Sequence, residues 1–144
     1  MWCATMALNT LIGKGVIPDW SSHMIANELT VVYGLDHAQT LAIILPNVME
    51  YKKEKKADKI IQYAERVLNL DVNLSQDQKI KQALEKTRDF FELMGNPTSL
   101  KDYNVDLEML PKIIGNLKEN GLVALGEHQD IALSDSKKIL SMCL

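Results

Sequence analysis

The chain has only two cysteines, four prolines and two phenylalanines in 144 residues, and its aromatic fraction is 6%. Cys3 and Cys143 stand near opposite ends, and two thiols do not make the disulfide framework of a small secreted scaffold, so a reducing, cytoplasmic setting is expected. A dominant charge is missing too. Sixteen Lys and Arg against nineteen Asp and Glu give a net charge of −3, which offers no electrostatic footprint for nucleic acid or for an anionic membrane. The first apolar stretch, residues 1–13, falls short of the ~20 residues that span a bilayer and carries no basic residue, so neither a membrane span nor a signal peptide is expected of it. There is no G-x-S-x-G nucleophile elbow and no glycine pattern that fits a phosphate loop; Gly13-Lys14-Gly15 reads as a turn. Neither cysteine has a histidine close to it in sequence.

What is present is a helical period. A chain 47% hydrophobic and 24% charged is one ordinary domain, long enough to bury roughly 68–70% of the surface its unfolded form exposes. Residues 1–13 read as a helix buried on several sides, and so apolar a beginning suggests a fragment of something longer. After a turn at Gly15 and Pro18, a helical pattern covers 22–32 and stops at Gly34; Val31-Val32-Tyr33 is the one β-flavoured spot. Asp36 can cap a helix through Thr40, Leu41, Ile44 and Leu45, which Pro46 should bend. A stripe follows over 55–69. Ser75 and Gln78 then form a capping box ahead of a long stripe through Ile80, Leu84, Phe90, Phe91 and Met94, which Gly95 and Pro97 end. Helices over about 107–120 and 134–143 complete an all-α domain of six or seven helices with no strand. The lysine-rich run 51–59 reads as a solvated junction between two helices.

Three histidines occur: His23, His37 and His128. Imidazole is the commonest metal ligand, and His23 and His37 flank a helix break. On one unbroken helix their fourteen-residue separation would amount to about 21 Å, whereas two nitrogens on one ion stand no more than ~4 Å apart. A shared ion therefore needs the chain to turn back, and an extended return from Tyr33 to His37 recovers up to ~13 Å. Spacing alone leaves two readings open, a ligand pair or two capping or core groups. Asp36 and Glu28 are near enough in sequence to orient these rings, but the plainer readings are preferred: a helix cap for Asp36, a surface ion pair for Glu28.

Residues 6–51, MALNTLIGKGVIPDWSSHMIANELTVVYGLDHAQTLAIILPNVMEY, resemble a family signature in which H-x13-H encloses G-x-D-H and follows G-x-G and a tryptophan. The family is the iron-containing, or group III, alcohol dehydrogenases, in their butanol dehydrogenase and NAD(P)H-dependent aldehyde reductase branch. The similarity is to their C-terminal helical domain, and it continues through KIIQYAERVLNL, TRDFFELMGNPTSLKDY and GEHQDIALSDS.

The resemblance implies that His23 and His37 ligate a catalytic divalent metal, iron or zinc, and that Trp20 and Met24 line the site. It also implies that an Asp and a third His ligand, together with an α/β domain that binds NAD(P), lie outside this chain. The 144 residues would then be a partial, metal-binding helical domain, inactive alone, whose full enzyme converts small alcohols or aldehydes. Asn27 stands where the family commonly has a second histidine, and an amide cannot titrate near neutral pH. His128 stands where relatives often carry Asn, and surface or supporting placement is expected for it. A homo-oligomer or a partner chain is expected over the apolar 1–13. Two alternatives stay open: a non-catalytic helical interaction module, or one half of a split enzyme.

Overall fold

A computed structural model describes residues 1–9, 11–106 and 108–144 of the chain. Among the described residues, seven helices follow in order: α1 (Trp2–Leu8), α2 (Ser21–Tyr33), α3 (His37–Tyr51), α4 (Ala57–Arg66), α5 (Gln76–Leu93), α6 (Leu110–Glu119) and α7 (Leu133–Ser141). A 3-10 turn, Leu100–Tyr103, precedes α6. The domain is all-α, as expected, with one small departure. Strands β1 (Ala124–Leu125) and β2 (Ile131–Ala132) pair antiparallel between α6 and α7, a two-residue ladder too short to carry a periodic signal in the sequence.

The main core lies where α2, α3, α6 and α7 meet. Ile25 and Leu29 of α2, Ile43 and Ile44 of α3, Ile113 of α6, and Ile139 and Leu140 of α7 are fully buried there. The four-residue step from Ile25 to Leu29 keeps both on one face of α2, and the adjacent pairs Ile43–Ile44 and Ile139–Leu140 mark the buried sides of α3 and α7. A second cluster joins α4 and α5 through Ile60, Ala64 and Ala83, with Leu70 from the loop between them. Across that seam the Tyr63 and Thr87 hydroxyls lie 3.1 Å apart. Ser75 caps α5 as its sequence announces: Gln78 N–H donates to Ser75 Oγ at 3.3 Å, and Ser75 N–H donates to Gln78 Oε1 at 3.0 Å. Helix α3 continues through Pro46, whose missing N–H leaves the Ala42 carbonyl without its usual helical donor.

Two expectations change. Helix α1 forms but buries none of its residues, and Leu8, Leu11, Ile12 and Ile17 are all exposed: apolar composition sets a demand for burial that no element among the described residues meets. As expected, Val31-Val32-Tyr33 founds no strand: it is the last turn of α2, where burial of Ile25 and Leu29 below it overrides local β preference. The start expected for the sixth helix, residue 107, lies outside the described residues; the helix proper runs from Leu110, with Pro111 in its first turn, where a missing N–H costs nothing.

Candidate metal centre

His23 lies in the first turn of α2 and His37 opens α3. The chain between them reverses at Gly34, which adopts the left-handed conformation (φ 72°) and donates its N–H to the Thr30 carbonyl at 2.9 Å. Asp36 then restarts the helix in extended backbone geometry, and its N–H donates to Gln39 Oε1 at 3.0 Å. The two helices are stapled by the Thr30 and Thr40 hydroxyls, 3.2 Å apart. In consequence the imidazoles of His23 and His37 face each other with ring centroids 5.3 Å apart and planes inclined at 56°. Two imidazoles bound to one ion at ~2.0–2.1 Å and a tetrahedral angle hold their ring centres about 5 Å apart, so the pair fits that donor geometry.

The electrostatics agree with ligation. Burial pushes the His23 imidazole below its ordinary pKa, and the neighbouring His37 pushes it further the same way. This favours the neutral ring, the form that binds a metal. The ring nitrogens of both histidines make no hydrogen bond among the described residues. Trp20 packs edge-on to His23, with ring centroids 5.1 Å apart, whereas Met24 packs into the main core. Among the described residues no group of three His, Cys, Asp or Glu is arranged to hold an ion.

The start of α2 is anchored from a distance. Asp19 accepts the Ser21 N–H at 2.9 Å and pairs with Lys56, whose ammonium also reaches Glu127 at 3.3 Å. Burial alone would raise the Asp19 pKa, but the hydrogen bonds from Lys56 and Ser21 outweigh it and hold the carboxyl below its ordinary value. One turn earlier on the run, Lys52 is buried and pairs with Asp130, which Lys55 also contacts at 2.9 Å. The solvated reading of 51–59 thus holds for the exposed Lys53, Lys55 and Lys59 but is overturned for Lys52 and Lys56. Those two turn inward because Asp19, Glu127 and Asp130 wait there, partners that no local pattern reveals.

The other singled-out residues are dispersed. Asn27 is exposed on α2, one turn beyond His23. His128 sits in the β1–β2 hairpin with an exposed side chain, its Nε2 3.5 Å from Glu127 Oε1. Glu28 is not a surface ion pair: it is 6% exposed and accepts from the side-chain amides of Asn116 at 2.8 Å and Asn120 at 3.4 Å. Sequence reasoning also missed a half-open cavity of about 400 Å³ beside His23, lined on its far side by Phe90, Phe91 and Met94 from the end of α5. Its signal was the Phe-Phe-x-x-Met run, which reads equally well as ordinary core.

An all-α domain that presents two facing imidazoles from the opening turns of two consecutive helices is the class the fold and geometry define. The chain belongs to the iron-containing alcohol dehydrogenase family: the profile described as "Fe-containing alcohol dehydrogenase family, C-terminal" matches residues 1–134. The NADPH-dependent aldehyde reductase YqhD of Escherichia coli (strain K12) is 50% identical over 139 residues, which is 96% of this chain and 36% of that protein. The NADH-dependent butanol dehydrogenase B of Clostridium acetobutylicum is 34% identical over 112 residues, 76% of this chain and 29% of that one. The crystal structure of E. coli YqhD superposes with a TM-score of 0.96 at 48% identity, covering 100% of this chain and 37% of that structure. The chain therefore spans about a third of the length of the curated relatives it matches. Among the described residues no helix is long and apolar enough to cross a membrane.

Proposed function

We propose that this chain is the metal-binding helical part of an NAD(P)-linked alcohol dehydrogenase or aldehyde reductase, with His23 and His37 as two ligands of a divalent cation, iron or zinc. The observation that carries the reading is the approach of the two free imidazoles to 5.3 Å across the Gly34 turn. A cation held there would act as a Lewis acid on an alcohol or carbonyl oxygen. The chain's own residues prepare that position. Burial and the neighbouring His37 lower the His23 pKa, Trp20 packs against its edge, and the Asp19–Lys56 pair fixes the start of the helix that carries it. Asn27 can donate or accept a hydrogen bond beside the site but cannot carry a proton near neutral pH.

The described residues contain no strand, glycine turn and helix unit to cradle cofactor phosphates, so the nicotinamide falls outside this chain's share of the chemistry. Substrates are small alcohols or aldehydes, following the names of the relatives, and the setting is cytoplasmic. The exposed Trp2, Leu8, Ile12 and Ile17 are covered by a second copy or a partner chain in the working protein.

Calorimetric titration with Zn²⁺ tests the site. Two imidazoles alone bind weakly, and the expected result is measurable binding in the parent chain that falls at least tenfold in both His23→Ala and His37→Ala. Zinc bound equally well by both variants would overturn the assignment.

A further inference from the structure

The cavity beside His23 is lined on one side by Leu41 and Leu45 of α3 and on the other by Phe90, Phe91 and Met94 at the end of α5. None of its lining residues is Lys, Arg, Asp or Glu. Its volume of about 400 Å³ falls within the ~300–1,000 Å³ of ordinary small-molecule pockets. A larger hollow, about 640 Å³ between α3, α4 and α5, touches neither histidine and is lined by charged side chains of both signs. Phe90 and Phe91 meet at 5.8 Å between ring centroids, yet Phe90 remains 56% exposed and Met94 61%. Large apolar groups at the rim of an apolar cavity gain by being covered.

We propose that Phe90, Phe91 and Met94 form the wall that selects the substrate's carbon chain, favouring a neutral alkyl or aryl group over a charged one. The inference rests on the metal reading of His23 and His37: His23 itself lines the cavity, so an oxygen held at that pair would have the apolar wall on the other side of the His23 ring. A carboxylate or phosphate on the chain would lose its hydration there without gaining a partner. Met94, unbranched and flexible, suits a wall that adapts to more than one chain shape.

The test uses the chain as it stands and straight-chain 1-alkanols from propanol to octanol, followed by methyl NMR of the leucine and methionine side chains. Each added methylene, worth about 0.8 kcal/mol when fully buried, should tighten binding up to about fourfold until the cavity is full. Shifts should centre on Leu41, Leu45 and Met94. Ala38→Trp, an exposed position at the rim, should weaken hexanol binding at least tenfold, and hexanoate should bind at least tenfold more weakly than hexanol. Phe90→Ala and Met94→Ala, both at exposed positions, should change the chain-length profile without changing the fold. An identical profile in the parent and Ala38→Trp chains, or shifts centred on the exposed N-terminal apolar residues, would overturn the proposal. Alkanol binding with no zinc binding would remove the cavity's substrate role along with the metal reading. Zinc binding with no alkanol binding would overturn the wall alone.

Discussion

The Lys52 ammonium at the end of α3 is paired with the Asp130 carboxylate of the β1–β2 hairpin, 78 residues further along the chain. The lysine side chain is 4% exposed and the aspartate 22%, so one end of this pair has left water. Removing a partner from such a pair leaves a buried charge uncompensated. Asp130→Ala should therefore destabilise the fold by about 1–3 kcal/mol, below the cost for a fully buried pair because Asp130 keeps partial contact with solvent. A guanidinium unfolding midpoint unchanged in the variant would show that Lys52 finds water or another acceptor.

The same pair carries a pH dependence with a definite sign. Hydrogen bonds from Lys52 and then Lys55 hold the Asp130 carboxyl far below its ordinary value, against a smaller opposing effect of burial. The folded pKa is depressed, so this stabilisation is complete above the unfolded value of about 3.9 and is lost as pH falls below it. Asp135 adds to the effect, lowered chiefly by the hydrogen bond that Tyr51 donates to it. Denaturation midpoints measured from pH 6 to pH 2.5 should fall mainly below about pH 4, and Asp130→Asn should flatten that fall. A parallel fall in the two proteins would remove Asp130 from the account.

Glu28 offers a different test, because its partners are amides. Glu28→Ala leaves Asn116 Nδ2 without its 2.8 Å acceptor inside the α2–α6 contact and opens a small void. The expected loss is about 1–3 kcal/mol, or a Tm lower by roughly 2–12 °C for a chain of this size. Glu28→Gln keeps an oxygen acceptor in place and should lose less. Equal losses in the two variants would place the cost in packing rather than in the hydrogen bonds.

These pairs mark the boundary of what the sequence discloses. The Ser75 and Asp36 caps were legible because each is completed three residues away, within one turn of chain. The helical stripes were legible for the same reason, since a period needs no knowledge of the partner surface. Glu28 reaches α6 88 residues on, and Lys56 reaches back 37 residues to Asp19 and forward 71 to Glu127. No local pattern encodes those distances, and exposed and buried charges look alike in composition. The histidine pair is intermediate. Gly34 and Asp36 announce a reversal, but whether the reversed chain brings rings together depends on how α2 and α3 pack. Residues 1–13 show the opposite limit: apolar composition predicted burial, and composition does not supply the surface that would bury them.

The two cysteines should separate cleanly in a thiol assay. Cys143 is buried, receives a hydrogen bond from Asn47 Nδ2 at 3.4 Å and donates to the Ile139 carbonyl at 3.2 Å. Burial pushes its thiol up to about 12, so the reactive thiolate is scarce at neutral pH. Cys3 is exposed on α1. A disulfide reagent at pH 8 should modify one thiol per native chain quickly and the second only on unfolding. Two fast equivalents in the native state would mean that α7 opens readily enough to expose its end.

Gly34 links local backbone chemistry to the metal centre most directly. At φ 72° it holds a conformation that costs a residue with a side chain roughly 1–2 kcal/mol, and a Cβ there would meet nothing within 4 Å, so the penalty is one of backbone rather than of space. Gly34→Ala should lower Tm by about 2–8 °C. Gly34→Asn should lower it less, since asparagine tolerates the left-handed region. The turn also sets where α3 begins, and His37 is three residues further on, so relaxation of the strained backbone would move that ring relative to His23. Zinc affinity should accordingly fall more in Gly34→Ala than in Gly34→Asn, in the same order as stability. Loss of stability with zinc affinity intact would show that the Thr30–Thr40 contact, rather than the turn, holds the two imidazoles together.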